Sequence, residues 1–176
     1  MACDLTLGRL KKCNDQAGGT KSVAFINNVD GLLDTATIAA TDQITAFASA
    51  LTMFKYEVVA ETTSFEEVPD DGDNGTSSWT QTVTMVLYAQ TLADRKELKL
   101  MQHGRPQVVV QGFDGSYKMV GIENGCSVKV TANGGTALND PTGYTVVCTA
   151  REKNMAHYID STIIGDTTNT VVTVGT

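Results

Sequence analysis

From Tyr56 to Asp94 the chain carries no lysine and no arginine, while Glu57, Glu61, Glu66, Glu67, Asp70, Asp71, Asp73 and Asp94 are all acidic. Over the full 176 residues the formal charge is −7, which argues against a protein that grips nucleic acid by neutralising phosphates. An acidic wall can still handle DNA by repelling it from a channel. Proline is scarce, and Pro69, Pro106 and Pro141 each sit near an expected turn or strand start. Histidine is scarcer: His103 and His157 are the only two, and neither belongs to a nucleophile motif. His103 reads as the cationic partner of a helix C-terminus and His157 as a residue beside a strand. No run approaches the ~18 apolar residues of a membrane span. Ala2-Cys3-Asp4 and Lys11-Lys12 are not followed by the apolar core of a signal peptide. A soluble product made in the cytoplasm is therefore expected.

The missing motifs exclude chemistry in specific ways. Cys3, Cys13, Cys126 and Cys148 form no CxxC and have no paired histidines, so a zinc site is poorly supported. Reduced, half-buried thiols are expected, because free cysteine behaves as a small hydrophobe. The glycine-rich stretches fit neither a dinucleotide fingerprint nor a phosphate loop. Residues 70–81 invite comparison with a calcium loop. With Gly75 at its sixth position, however, the third position is Gly72 and the twelfth is Gln81, which cannot supply a bidentate carboxylate. A solvated loop is the simpler reading. Asn74-Gly75-Thr76 matches a glycosylation sequon but carries no weight without a secretion signal. Neither an enzyme nor a cofactor is expected.

What is present favours strands. Threonine and valine abound, and their branched side chains suit a pleated surface. The 41% hydrophobic content supports one packed domain. Ser22–Ile26 predicts a strand. Residues 32–51 are ambiguous, with Thr35–Ile38 and Asp42–Leu51 read as strand. Phe54–Glu61 and Trp79–Tyr88 predict the two arms of a hairpin, the second alternating Val83, Met85 and Leu87 against Thr82, Thr84 and Val86. Between them, Glu66–Ser78 reads as an oversized polar loop at the hairpin tip. Thr91 caps a helix with Asp94 three residues on. Ala93, Leu100 and Met101 form its apolar face, Gly104 its left-handed stop, and Pro106 bars continuation. Gln107–Gln111, Ser116–Ile122, Cys126–Thr131, Tyr144–Ala150 and Ala156–Ile159 predict further strands. The result is a mostly β domain over residues 1–160, a β-sandwich or barrel with one flanking helix. Residues 161–176 form a C-terminal arm suited to a neighbour's sheet edge.

Two stretches carry a resemblance. Met1-Ala2-Cys3-Asp4-Leu5-Thr6 through Cys13-Asn14-Asp15, with Gly18-Gly19-Thr20-Lys21 and Val23-Ala24-Phe25, resembles the openings of small structural proteins of tailed phages of Bacteroidota, including crAss-like phages. Thr142-Gly143-Tyr144 through Arg151-Glu152-Lys153 resembles their closing strand and charged corner. The order of long-loop hairpin, short helix and further strands is similar to the tail-tube fold. The resemblance implies a virion tail protein, made in the host bacterial cytoplasm, whose copies close into head-to-tail rings through sheet edges. Its partners are then copies of itself, adjacent tail or neck rings, and DNA that passes without specific binding during ejection; no membrane is implied. Glu66, Glu67, Asp70, Asp71, Asp73 and Asn74 become a loop reaching the next ring, and Glu57 and Glu61 an acidic lumen or rim. Tail-tube, neck, terminator and tail-barrel rings share the fold and stay open as alternatives. A second class is a β-sandwich that binds host surface or carbohydrate, for which Trp79 and a few tyrosines are available. A small hydrolase is the third.

Overall fold

The computed structural model describes residues 7–10, 17–59, 61–73 and 75–174, so Cys3, Cys13, Asn74 and the run Met1–Thr6 fall outside it. Twelve strands form two sheets among the described residues. In chain order the elements are β1 (Thr20–Ile26), α1 (Leu32–Thr35), β2 (Thr37–Ile38), β3 (Gln43–Ala46), β4 (Leu51–Glu57), β5 (Ser64–Asp71) and β6 (Ser77–Tyr88). Then come α2 (Leu92–Gly104), β7 (Gln107–Gly112), β8 (Tyr117–Val120), β9 (Ser127–Asn133), β10 (Gly143–Glu152), β11 (His157–Ile159), a 3₁₀ turn (Ser161–Ile163) and β12 (Thr170–Val174). The larger sheet has eight strands in the order β12-β4-β1-β7-β8-β11-β3-β2, and the smaller has four in the order β5-β6-β10-β9. The chain is thus mostly β.

The two sheets differ in how their strands are patterned, and burial explains why. In the smaller sheet Val83, Met85, Val146, Cys148 and Ala150 are buried while their sequence neighbours Thr82, Thr84, Val147 and Thr149 are only partly so. One face meets the core and the other meets water, which gives the period-2 alternation. The larger sheet is covered on both faces and reads as continuous apolar runs. Val23, Phe25, Val108, Val110 and Val120 face the smaller sheet. Ile26, Met53, Val109, Met119 and Ile159 face a second core, closed by Leu32 of α1, Ile44, Phe47 and Ile163.

Helix α2 seals one side of the sandwich. The Thr91 hydroxyl accepts the Asp94 backbone N–H at 3.1 Å, as the cap predicts. Its core face is not the expected one. Leu98 is buried and Met101 packs beside it, whereas Leu100 is 58% exposed and Ala93 is also exposed. The spacing of Asp94, Leu98 and Met101, rather than that of Ala93 and Leu100, defines the stripe toward the sheets. The left-handed residue that ends the helix is Arg105 (φ 46°), one position after the expected Gly104.

Four further expectations are corrected. Strand β4 does not pair with β6: it lies in the larger sheet between β1 and β12, and the partners of β6 are β5 and β10. The polar stretch read as a loop contains β5 itself, joined to β6 by the short connection Gly72–Thr76, in which Gly72 N–H donates to Thr76 O at 2.7 Å. Composition hid this strand, because an edge strand accepts Pro69 and a run of acids that a central strand would not. Residues 32–51 are only partly strand: α1 occupies Leu32–Thr35 and residues 47–50 are irregular. The segment after residue 160 does not stand free as an arm. It folds back, and β12 pairs in parallel with β4 of its own chain. Fully buried Thr170 fastens the return, its hydroxyl donating to Ile163 O at 2.8 Å and accepting Gly165 N–H at 2.7 Å.

Candidate assembly surface

The acids expected on one hairpin divide between the two sheets. Glu57 ends β4 in the larger sheet and lies 3.6 Å from Lys55. Glu61 is exposed in the crossing to β5, at a left-handed φ of 67°. Glu66, Asp70 and Asp71 are exposed along β5, with Asp73 exposed in the turn that follows. Asp70 approaches Arg151 at 3.8 Å, an exposed pair worth little. Glu67 behaves differently: it is half-buried, and its carboxylate accepts the Ala156 backbone N–H at 2.6 Å. The hairpin tip therefore gathers Asp70, Asp71 and Asp73, Glu66 is exposed in the body of β5 opposite Thr82, Glu67 holds the fold, and Glu57 and Glu61 lie elsewhere.

Each sheet has two edges, and three of the four are guarded. Strand β2 is only two residues long. Strand β5 carries Pro69 and exposed acids, and β9 carries exposed Lys129 at its centre and packs against α2. Short length, proline, charge and cover are the devices that stop edges pairing with other chains. Strand β12 has none of them. Its sequence is Thr-Val-Val-Thr-Val, and among the described residues no strand pairs with its outer side. Val171, Val172 and Val174 are 42%, 37% and 55% exposed. Phe54, opposite Thr173 in the register, adds a half-exposed ring on the face that Val171 shares. The valines were visible in the sequence, but nothing local reveals that their first partner is β4, some 120 residues earlier in the chain.

The residues searched for chemistry are placed as follows. His103 lies in the last turn of α2. His157 is buried in β11, with Nδ1 2.9 Å from the Asp42 carboxylate but without the alignment of a hydrogen bond. Cys126 and Cys148 are free thiols in the core. Burial pushes the Cys148 thiol up to about 12 and raises Cys126 as well, so both stay protonated and unreactive. Among the described residues no three of His, Cys, Asp and Glu gather where they could hold one metal ion. Also among these residues, no helix is long and apolar enough to cross a membrane. No protein-family model, curated protein or solved structure matches the chain.

Proposed function

We propose that this chain is a non-catalytic structural subunit that assembles with copies of itself, through its sheet edges, into rings of a phage tail. The observation that carries the reading is the unguarded strand β12. It presents three exposed valines and, among the described residues, one unpaired row of backbone donors and acceptors, a combination that isolated proteins avoid and that strand addition by a neighbour satisfies. The hairpin tip supports the same reading. Asp70, Asp71 and Asp73 lie exposed at the end of the smaller sheet, with Arg151 beside Asp70. Repeated around a ring, they form a negative rim past which DNA slides without being held. The phage assignment rests on the resemblance of the N- and C-terminal stretches.

Negative-stain electron microscopy of the purified protein, paired with sedimentation velocity, tests the assembly. Closed rings or stacked tubes are expected. A single monomeric species at every concentration, with no assemblies on the grid, would defeat the proposal.

A further inference from the structure

A cleft of about 370 Å³ opens between the sheets at the side opposite α2, within the ~300–1,000 Å³ typical of small-molecule sites. Its origin lies in one cross-strand row of the larger sheet. Val23 pairs with Val110, Val110 with Lys118, and Lys118 with Tyr158. The row begins in the core, where Val23 and Val110 are buried, and ends at Tyr158, which is half exposed. Lys118 therefore stands on the face turned toward the smaller sheet, where an apolar residue would extend the core. Its ammonium lies 5.0 Å from the Phe65 ring centre and 5.2 Å from that of Tyr158. Two cation–π contacts hold it, and among the described residues no carboxylate lies within ion-pair distance.

The turn between β7 and β8, in the same sheet as Lys118, supplies acceptors. Among the described residues Asp114 is the single acid lining the cleft. Its Oδ1 accepts both the N–H and the hydroxyl of Ser116, at 3.0 and 2.7 Å, and Oδ2 has no hydrogen-bond partner among the described residues. Gly18, Gly19 and Gly112 also line the cleft. The Thr63 hydroxyl is buried behind the wall, with no hydrogen-bond partner among the described residues.

We propose that this cleft binds a sugar acid, a saccharide ring bearing one carboxylate. Lys118 takes the carboxylate, Asp114 Oδ2 accepts a ring hydroxyl, and the exposed part of Tyr158 receives the apolar C–H face of the ring. Among the described residues the cleft holds one cation and one acid, which suits a singly charged ligand with hydroxyl donors. The site does not depend on ring assembly, since every residue named belongs to one subunit.

Ligand-observed saturation-transfer NMR tests this on the whole protein, assembled or not, with glucuronate, glucose and acetate as probes. Saturable transfer to glucuronate, with at least tenfold weaker response to glucose and to acetate, is expected. Lys118→Gln should abolish the preference for glucuronate over glucose while circular dichroism stays native, and Lys118→Arg should retain part of it. Absence of saturable transfer to glucuronate overturns the proposal. So does an equal response to acetate, which would mean a bare carboxylate site, or an unchanged preference in a folded Lys118→Gln protein.

Discussion

Glu67 and Ala156 are 89 residues apart in sequence and 2.6 Å apart in space, the carboxylate of one accepting the backbone N–H of the other. This bond ties the acidic edge strand β5 to the connection between β10 and β11, and so ties the two sheets together at the side away from α2. It separates Glu67 from its neighbour Glu66, which is exposed. Glu67→Ala leaves the N–H of buried Ala156 without its acceptor and should cost about 1–3 kcal/mol in urea denaturation. Glu67→Gln keeps an acceptor oxygen and should cost less. Glu66→Ala should stay within about 0.5 kcal/mol of the parent. Equal losses at positions 66 and 67 would show that the bond contributes nothing.

Strand β12 offers a variant that separates assembly from folding. Val171 lies opposite Thr52 on the exposed face of the edge. A lysine there is the guard that natural edge strands carry. Val171→Lys should leave chemical denaturation within about 0.5 kcal/mol of the parent, while shifting sedimentation from assemblies toward single subunits. Thr170→Val should do the reverse. It strips the hydroxyl that joins Ile163 O to Gly165 N–H at a fully buried position, costing about 1–3 kcal/mol of stability. Assemblies of Val171→Lys as large as those of the parent would remove β12 from the interface.

These positions show how far the sequence could be read. Strands that alternate against water were legible: Val83 and Met85 mark β6, and Tyr144 to Ala150 mark β10, because burial on one face writes its own period. The cap of α2 was legible because Thr91 and Asp94 act within one turn. Pairing was not. Val171 meets Thr52 and Ala156 meets Glu67 across separations that no local pattern encodes. Edge strands were least legible, since the acids and proline of β5 mimic a loop for the same reason that they suit an edge. The cleft around Lys118 was invisible: a lysine in an apolar strand signals nothing until its two aromatic neighbours come from other strands.

Glu152 should give stability a pH dependence of predictable sign. It is 3% exposed, and its carboxylate accepts the N–H groups of Asn124 at 3.0 Å and Glu123 at 3.3 Å. Burial raises its pKa above the ordinary 4.5; those backbone bonds and His157 oppose the rise, and the charge of Glu123 adds to it. The folded state then holds the proton at pH values where the unfolded chain has released it. The stability from this proton is complete below pH 4.5 and is lost as pH rises through the raised value. Glu152→Gln cannot titrate and should lack this falling slope. The check is denaturation of both proteins across mildly acidic pH. A difference between them that does not change with pH would contradict the assignment.

Two glycines in left-handed turns distinguish backbone strain from close approach. Gly115 has φ +81° and open space around it, so an added Cβ meets nothing within 4 Å. Gly125 has φ +66°, and its added Cβ would run into the Arg105 carbonyl oxygen and lie 3.2 Å from Asn28 Oδ1. That carbonyl cannot easily give way, because next to it Pro106 O accepts the Cys126 N–H at 2.8 Å and pins the helix exit to the start of β9. Gly115→Ala should therefore cost only the left-handed conformation, about 1 kcal/mol. Gly125→Ala pays the same strain and must also push two backbone segments apart beside the buried thiol of Cys126, for a loss of at least about 2–3 kcal/mol. Thermal unfolding of both variants measures the difference directly. Equal losses would mean that the helix exit yields freely, and that the contact between Gly125 and Arg105 does not constrain how α2 seals the sandwich.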